Sequence, residues 1–225
     1  MKKSVISNGI ILSAFAMVTS GLIALTFFGT QEQIAQQQQQ KLQGILNDII
    51  EPGTYNNAIA NNCVLMRSAE YLGSQEAQHI YRAYYDEQPV ALAIETTAPD
   101  GYSGKIQLVV GLHNDDKGDV VISGVRVLEH KETPGLGDKI DLRVSDWVLS
   151  FAQKIFNTDS APRFAVKKDG GQFDQFTGAT ISPRAVVNAV KRSALFYQQH
   201  KDQIFAAANT CNSPTPSPIE TAKHE

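Results

Sequence analysis

Positive charge is scarce in this sequence. The chain has 225 residues, with 20 Lys and Arg against 23 Asp and Glu, which gives a formal net charge of −3. A protein that binds nucleic acid usually shows a basic stripe, so this balance argues against nucleic-acid binding. With 42% hydrophobic and 19% charged residues, the chain has the composition of an ordinary globular protein rather than a disordered one.

Charged residues are absent altogether over 4–31, and the stretch 9–28 is almost wholly apolar. About 20 helical residues span about 30 Å, the thickness of a bilayer core. The sequence holds no second run of this kind, which excludes a multi-pass transporter. A signal peptide is the alternative, since Lys2 and Lys3 supply a charged start, but the apolar run is long and no A-x-A-like site follows it. The sequence therefore predicts an uncleaved anchor, with the cytoplasmic N-terminus and the transmembrane helix in 1–30.

The charges that flank the apolar run predict its orientation. Lys2 and Lys3 precede it, and the first charged residue after it is Glu32. By the positive-inside rule the N-terminus stays in the cytoplasm and the rest of the chain crosses the membrane. The segment 31–52, with five consecutive glutamines, is interpreted as a juxtamembrane helix. A polar spacer of no particular shape is the alternative.

Cysteines are also few. Cys63 and Cys211 would face an oxidising compartment if this topology is right. One disulfide between them would pin the C-terminal end to the start of the globular domain. Two separate buried cysteines are the alternative, and the sequence leaves both open. No C-x-x-C and no metal-ligand spacing is present, so no metal site is expected.

The middle of the chain predicts strands. Runs rich in β-branched and aromatic residues are separated by turn clusters. These runs lie at 80–85, 90–97, 105–112 and 120–128. In the third run apolar and polar residues alternate, which is typical of a half-buried antiparallel strand. We expect a meander of three or four strands.

Two helices are predicted after the strands. Ser145 is placed at the N-cap of the first. Its apolar face is expected to hold Trp147, Val148, Phe151 and Ile155. The second is predicted over Pro183–His200, with Ser182 at its N-cap. Strands followed by helices indicate an α+β fold, here one domain over 53–205 with an antiparallel sheet and flanking helices. The proline-rich end of the chain, 206–225, is predicted to be a disordered tail.

The stretch most informative about chemistry is 169–182, DGGQFDQFTGATIS. Gly178 and Ala179 allow close approach of the backbone, and the helix that follows presents free N–H groups and the positive end of its dipole. The pattern predicts an anion site, and a phosphate or phosphodiester placed on Thr180 would lie at this helix entrance. A tight loop before a helix, with Thr180 as an ordinary local hydrogen-bonding residue, is the alternative.

The same stretch contains the pattern D-x-x-T-G-A-T-x-S. Its members are Asp174, Thr177, Gly178, Ala179, Thr180 and Ser182. This pattern resembles the flavinylation motif of the FMN-binding domain family. The resemblance implies that a flavin transferase, using FAD and Mg²⁺, attaches FMN covalently through its phosphate to Thr180. Serine is frequent in the family at the position of Thr177, and the hydroxyl chemistry is the same.

The resemblance extends beyond the motif. The segments 101–104 (GYSG), 130–137 (HKETPGLG) and 168–171 (KDGG), with the single N-terminal span, are similar to the G subunits of Rnf electron transport complexes. This implies a covalent-FMN electron carrier in a complex that couples electron transfer between ferredoxin and NAD to Na⁺ or H⁺ movement. The expected partners are the other subunits and the membrane. The expected location is the bacterial inner membrane with the domain in the periplasm, and this chain alone would have no complete reaction.

A flavin ring needs an apolar slot and a few polar groups that adjust its potential. Such contacts are expected from His130, Glu132, Thr133 and Leu136. For His130 the alternative is a residue that merely ends a strand, and for Glu132 a solvated side chain. Asp174 is expected either to hold Mg²⁺ or orient the Thr180 hydroxyl during attachment, or to stabilise the loop. Tyr102 is interpreted as closing a turn.

Motifs of nucleophilic triads, zinc proteases and dinucleotide binding are absent from the sequence, which argues against a hydrolase or a nucleotide-dependent dehydrogenase. Two alternatives remain. One is the C subunit of a Na⁺-translocating NADH:quinone reductase, which shares the motif and the anchor. The other is a non-redox tethered binding or scaffold module that uses the same loop without flavin. The short chain and the segment 130–137 favour the resemblance to the Rnf proteins.

Overall fold

The computed structural model describes residues 2–211. Most of the segment predicted to be a disordered tail, 212–225, lies outside the described residues. The chain divides into two compact units, Met1–Leu42 and a second that begins at Gln43.

The first unit is part of one long helix, α1 (Lys2–Ile49). Its stretch Ile6–Gln31 is long and apolar enough to cross a membrane. Thr19, Thr26 and Thr30 donate their hydroxyl hydrogens to carbonyl oxygens four residues earlier, at 2.9, 3.0 and 2.7 Å. These three hydroxyl groups are therefore satisfied within the helix. The glutamine-rich segment continues α1 without a break.

The second unit contains a six-stranded antiparallel sheet whose strands follow one another in chain order. The strands are β1 (Cys63–Ser68), β2 (Ser74–Tyr85), β3 (Gln88–Ala98), β4 (Ile106–Asn114), β5 (Val120–Glu129) and β6 (Lys154–Phe156). The meander and its four predicted strands are confirmed as β2 to β5. The prediction missed both edge strands, because short strands carry little periodic signal.

Among the described residues, the second unit has two α-helices besides the end of α1: α2 (Ala69–Leu72) and α3 (Ile181–Ala206). The predicted helix after Ser145 is wrong in type and length. Ser145 does accept the N–H of Trp147, but only a 3-10 helix over Asp146–Phe151 follows. The chain turns away at Gln153, where φ is +61° and the N–H pairs with β5, so Ile155 lies exposed in β6.

The core lies between one face of the sheet and α3. The helix contributes Val186, Val190, Ala194 and Tyr197 to this core. On the opposite face Ile49, the last residue of α1, lies against Gly111 and Gly124, which pair across β4 and β5. A Cβ would lie 2.6 Å from the carbonyl oxygen of Ile49 at Gly111, and 2.9 Å from its Cα at Gly124. The two glycines therefore make room for the end of α1.

The outer edge of the sheet is covalently closed. Cys63 and Cys211 form a disulfide, which decides between the two alternatives that the sequence left open. Beside it Thr210 donates its N–H to the Cys63 carbonyl at 2.8 Å and accepts the N–H of Leu65 at 3.1 Å. Arg82, only 3% exposed, donates to three carbonyl oxygens at the C-terminal end of α3. We call β1, the disulfide and residues 209–211 the clasped edge.

Candidate functional site

A cavity of about 290 Å³ opens at the N-terminal end of α3. Three segments meet there: the turn after β3, the loop after β5 and the loop that enters α3. The lining residues are Tyr102, Glu132, Thr133, Leu136, Gly137, Gly178, Ala179, Thr180, Ile181 and Ser182. Small-molecule sites usually measure about 300 to 1,000 Å³, so a larger ligand would remain partly exposed here.

The loop that enters α3 contains a tight turn over 176–179. The N–H of Ala179 donates to the carbonyl oxygen of Phe176 at 3.1 Å, and Gly178, the third residue, has φ of +80°. A type II turn requires a positive φ at this position, which glycine adopts at no steric cost. The turn therefore explains why residue 178 of the motif is glycine. No other atom lies within 4 Å of where a Cβ of Gly178 would be, so the space beside the cavity is open there.

Thr180 is the first residue outside α3 and lines the cavity. Its side chain makes no capping hydrogen bond. The first helical hydrogen bond runs from the N–H of Arg184 to the Thr180 carbonyl at 3.2 Å, so the N–H groups of Ile181 and Ser182 have no partner within the helix. Free N–H groups and the positive end of the helix dipole form a favourable place for an anion.

Glu132 joins the three segments of the cavity. Its side chain is buried, with 5% exposed. One carboxylate oxygen accepts the N–H of Ser103 at 3.0 Å, and the other accepts the hydroxyl of Ser182. Ser182 was predicted to be the N-cap of α3, and that prediction is wrong. The helix begins at Ile181, because the Ser182 hydroxyl is bound to Glu132 instead.

Two glycines allow the segments to approach Glu132. A Cβ at Gly137 would lie 2.5 Å from the Ser182 hydroxyl oxygen and 2.7 Å from Oε2 of Glu132. A Cβ at Gly101 would lie 2.9 Å from Oε1 of the same carboxylate. Real Cβ atoms essentially never come closer than 3.0 Å, so a larger residue at either position would force the neighbouring groups to shift.

Aromatic side chains pack against the loop that enters α3, on the side away from the cavity. The indole N–H of Trp147 donates to the Asp174 carbonyl at 2.8 Å, and its ring packs edge-on against Phe176 at 5.3 Å. Outside these aromatic contacts the Asp169 carboxylate accepts two hydrogen bonds from Arg184, at 2.6 and 2.8 Å, which lowers the pKa of Asp169. The loop is thus fixed to α3 through Asp169 and to the 3-10 helix over Asp146–Phe151 through Asp174 and Phe176.

Seven of the ten residues expected to contact a cofactor line the cavity. They are Glu132, Thr133, Leu136, Gly178, Ala179, Thr180 and Ser182. Gly137 and Ile181 also line the cavity and were not predicted as site residues, and Tyr102 was predicted only to close a turn. The position of Ile181, between two expected site residues, was the available signal for it. That these residues contact a flavin stays a prediction.

The other three expected residues lie outside the cavity lining. Asp174 is exposed and pairs with Lys167 at 2.6 Å, and Thr177 is exposed in the tight turn. His130 lies behind the loop: its Nδ1 accepts the N–H of Glu132 at 3.2 Å, and its Nε2 lies 3.4 Å from Asp141. Hydrogen bonds from the Arg143 guanidinium are the main reason that the pKa of Asp141 is lowered.

Comparison with known proteins identifies the class to which this fold and cavity belong. Residues 101–194 match the FMN-binding domain, and residues 1–49 match the RnfG N-terminal region. The second unit therefore contains an FMN-binding domain.

Whole-chain relatives define the family more closely. The chain is 61% identical to the G subunit of the ion-translocating oxidoreductase complex of Pseudoalteromonas atlantica, over 95% of this chain and 97% of that protein. Proteins of the same name from Vibrio cholerae and Shewanella amazonensis are 49% and 47% identical, over 94% and 95% of this chain and 99% and 97% of theirs. The chain belongs to the family of the G subunits of ion-translocating oxidoreductase complexes.

The residues of the cavity fit an FMN. The free N–H groups at the start of α3 suit a phosphate, and the side chains of Tyr102, Leu136 and Ile181 offer an apolar surface for a ring. All three side chains are partly exposed, at 68%, 45% and 43%. A ring bound here would shield this apolar surface and keep an edge open to a partner.

Proposed function

We propose that this chain is the flavin-carrying member of a membrane complex that couples electron transfer between ferredoxin and NAD to the movement of Na⁺ or H⁺. The identity of 61% to a protein of an ion-translocating oxidoreductase complex supports the complex. The observation that carries the flavin role is the position of Thr180, at a helix N-terminus and on the wall of the cavity.

Covalent attachment of FMN to Thr180 is part of the proposal. A flavin transferase with FAD and Mg²⁺ would be needed: the Thr180 oxygen forms a bond to phosphorus, loses its proton, and the bond to AMP breaks. The Thr180 hydroxyl makes no capping hydrogen bond and is therefore available. The N–H groups of Ile181 and Ser182 would hold the charge of the resulting phosphodiester.

Bound FMN supplies one- and two-electron redox chemistry. The protein orients it: the tight turn and α3 fix the phosphate end, while Leu136 and Ile181 exclude water from part of the ring. The cavity is smaller than most ligand sites, so a bound ring would stay partly accessible. This arrangement suits a carrier that exchanges electrons with the other subunits and has no complete reaction alone.

The proposed location is the bacterial inner membrane, with a single span, the N-terminus in the cytoplasm and the second unit in the periplasm. The apolar stretch Ile6–Gln31 supports the span, and the two lysines before it support the orientation. The disulfide between Cys63 and Cys211 supports an oxidising compartment.

Intact mass tests this proposal. The full chain is expressed with a flavin transferase, purified in detergent and compared with Thr180→Ala and Thr180→Ser. We expect a mass gain of FMN minus water in the wild type and in Thr180→Ser, because a hydroxyl remains, and no gain in Thr180→Ala. Thr158→Ala, at an exposed threonine remote in sequence from the motif, is the matched control and should still be modified.

An unmodified wild-type chain under active transferase would overturn the proposal and favour the tethered binding module. A modified Thr180→Ala chain would place the attachment elsewhere.

A further inference from the structure

The lining of the cavity has a single charged side chain. Of its ten lining residues, Glu132 alone carries a formal charge. We propose that the Glu132 carboxylate sets the reduction potential of the bound flavin by holding a negative charge beside it. This inference rests on the proposed function, since it requires FMN in the cavity.

The hydrogen bonds of Glu132 come from neutral groups. Ser103 donates a backbone N–H to Oε1, and Ser182 donates its hydroxyl to Oε2. Both oxygens act as acceptors, as in an ionised carboxylate. Among the Lys, Arg and His side chains that the structure describes, from Lys41 to Lys201, no nitrogen comes within 4.0 Å of this carboxylate. Its charge is hydrogen-bonded but not neutralised.

The nearby Asp141 shows the opposite arrangement. It is as buried as Glu132, with 4% against 5% exposed. However, it is paired with Arg143 and lies 3.4 Å from His130, and it does not line the cavity. The buried carboxylate of Asp141, behind the loop, is therefore paired with a positive side chain, whereas the carboxylate of Glu132 in the cavity is not.

The start of α3 offsets the charge of Glu132 only in part. A helix N-terminus acts as about half a positive charge. That half charge would be shared between Glu132 and the phosphodiester on Thr180, each of which carries one negative charge. The net field at the cavity is therefore negative.

A negative field acts on the reduction of a flavin in a defined direction. Two electrons and one proton leave the ring with one negative charge, and a second proton leaves it neutral. A buried carboxylate nearby disfavours the negative form, because the interaction of charges is strong where water is excluded. Glu132 therefore makes the flavin harder to reduce and favours uptake of the second proton.

The test is a redox titration with dithionite of the full, flavinylated chain. Glu132→Gln keeps the shape of the side chain and removes the charge. We expect its equilibrium constant for two-electron reduction to rise about tenfold, which is ~30 mV in midpoint potential. The charge-retaining Glu132→Asp should stay near the wild type even where its melting temperature falls.

Glu95→Gln is the matched control. Glu95 also accepts one backbone N–H, from His79, and one hydroxyl, from Tyr81. It differs from Glu132 in lying 3.0 Å from Nδ1 of His79 and outside the cavity lining. Its substitution should leave the potential unchanged. Intact mass is recorded for every sample, so failure of flavin attachment is distinguished from failure of the tuning role.

An unchanged potential in flavinylated Glu132→Gln would overturn the inference and leave the proposed function standing. If Glu132→Gln takes up no flavin, the midpoint potential of flavinylated Ser182→Ala tests the inference instead. It keeps the carboxylate and removes one of its donors, so the negative charge is less well stabilised and the potential should fall. No fall in Ser182→Ala would then overturn the inference.

Discussion

Glu132 and Glu95 each accept hydrogen bonds from a backbone N–H and a hydroxyl, but Glu95 also pairs with the imidazole of His79 at 3.0 Å, and the two carboxylates have different structural roles. Glu95 lies within β3, and its donors, His79 and Tyr81, lie on the neighbouring strand β2. Its side chain is 21% exposed. Glu132 lies on a loop and joins segments that are 29 and 50 residues away in sequence. The same hydrogen bonds link two adjacent strands in one region and hold a cavity together in the other.

The two regions also differ in how many interactions hold them. The clasped edge has a disulfide and the hydrogen bonds of Thr210, and the buried Arg82 on the neighbouring strand β2 binds the end of α3, so this region does not depend on Glu95. The three cavity segments share a single buried carboxylate. We therefore expect the clasped edge to dominate global stability and the Glu132 cluster to dominate cofactor binding.

The largest expected effect comes from breaking the clasped edge. The disulfide closes a loop of 148 residues in sequence separation. Replacing both Cys63 and Cys211 by Ser should lower the free energy of unfolding by about 5 kcal/mol, because the unfolded chain gains entropy. Urea unfolding measures the loss, and reduction of the wild type should reproduce it. Flavin attachment should persist below the transition, and a loss under about 1 kcal/mol would contradict the comparison.

A smaller effect is expected from crowding the Glu132 cluster. Gly137→Ala would place a Cβ 2.5 Å from the Ser182 hydroxyl oxygen, so the loop must shift. We expect a loss of about 2 kcal/mol and a marked fall in flavin attachment. Gly135→Ala, two residues away, is the control: its φ is +76° and no atom lies within 4 Å of the added Cβ. It should cost about 1 kcal/mol of backbone strain and leave attachment intact. Equal flavin attachment in the two variants would contradict the role of the Glu132 cluster in shaping the cavity.

The smallest effect is a pH dependence at Glu95. Its hydrogen bond raises the pKa of His79 above the ordinary value. A raised pKa in the folded state means that the pairing stabilises the fold below about pH 6.5 and that this contribution disappears as pH rises through the folded-state pKa. Glu95→Gln should therefore destabilise more at about pH 5.5 than at about pH 8.5. The difference should stay below about 1 kcal/mol, because the His79 side chain is 44% exposed.

Urea unfolding at the two pH values checks this prediction. In a His79→Gln background the effect of Glu95→Gln should lose its pH dependence. A dependence of the opposite sign would mean that another group controls the titration.

Much of the fold could be predicted because its signals are local. The apolar run that forms α1, the four central strands and the start of a helix after the motif all follow from periodicity and turn chemistry within about ten residues. The segment after Ser145 shows the limit of such local signals. Its apolar spacing predicted an α-helix through Ile155, but the N–H of Gln153 pairs with β5, and only a 3-10 helix over Asp146–Phe151 forms.

In the candidate site, too, some residues could be predicted from local sequence and others could not. Thr180 and Gly178 could be found from the sequence, since a tight turn and a helix N-terminus are made by neighbouring residues. The role of Ser182 could not, because a free N-cap and a partner for Glu132 look identical until the loop after β5 is brought beside α3.

The sequence by itself determined the long apolar helix at the N-terminus, the meander and the threonine at a helix entrance, because each depends on residues close together in the chain. The tertiary structure decided that Cys63 meets Cys211 and that Ser182 binds Glu132. It also decided that Tyr102 lines the cavity wall. These contacts join residues that only packing of the sheet against α3 brings together, and a linear pattern contains no signal for them.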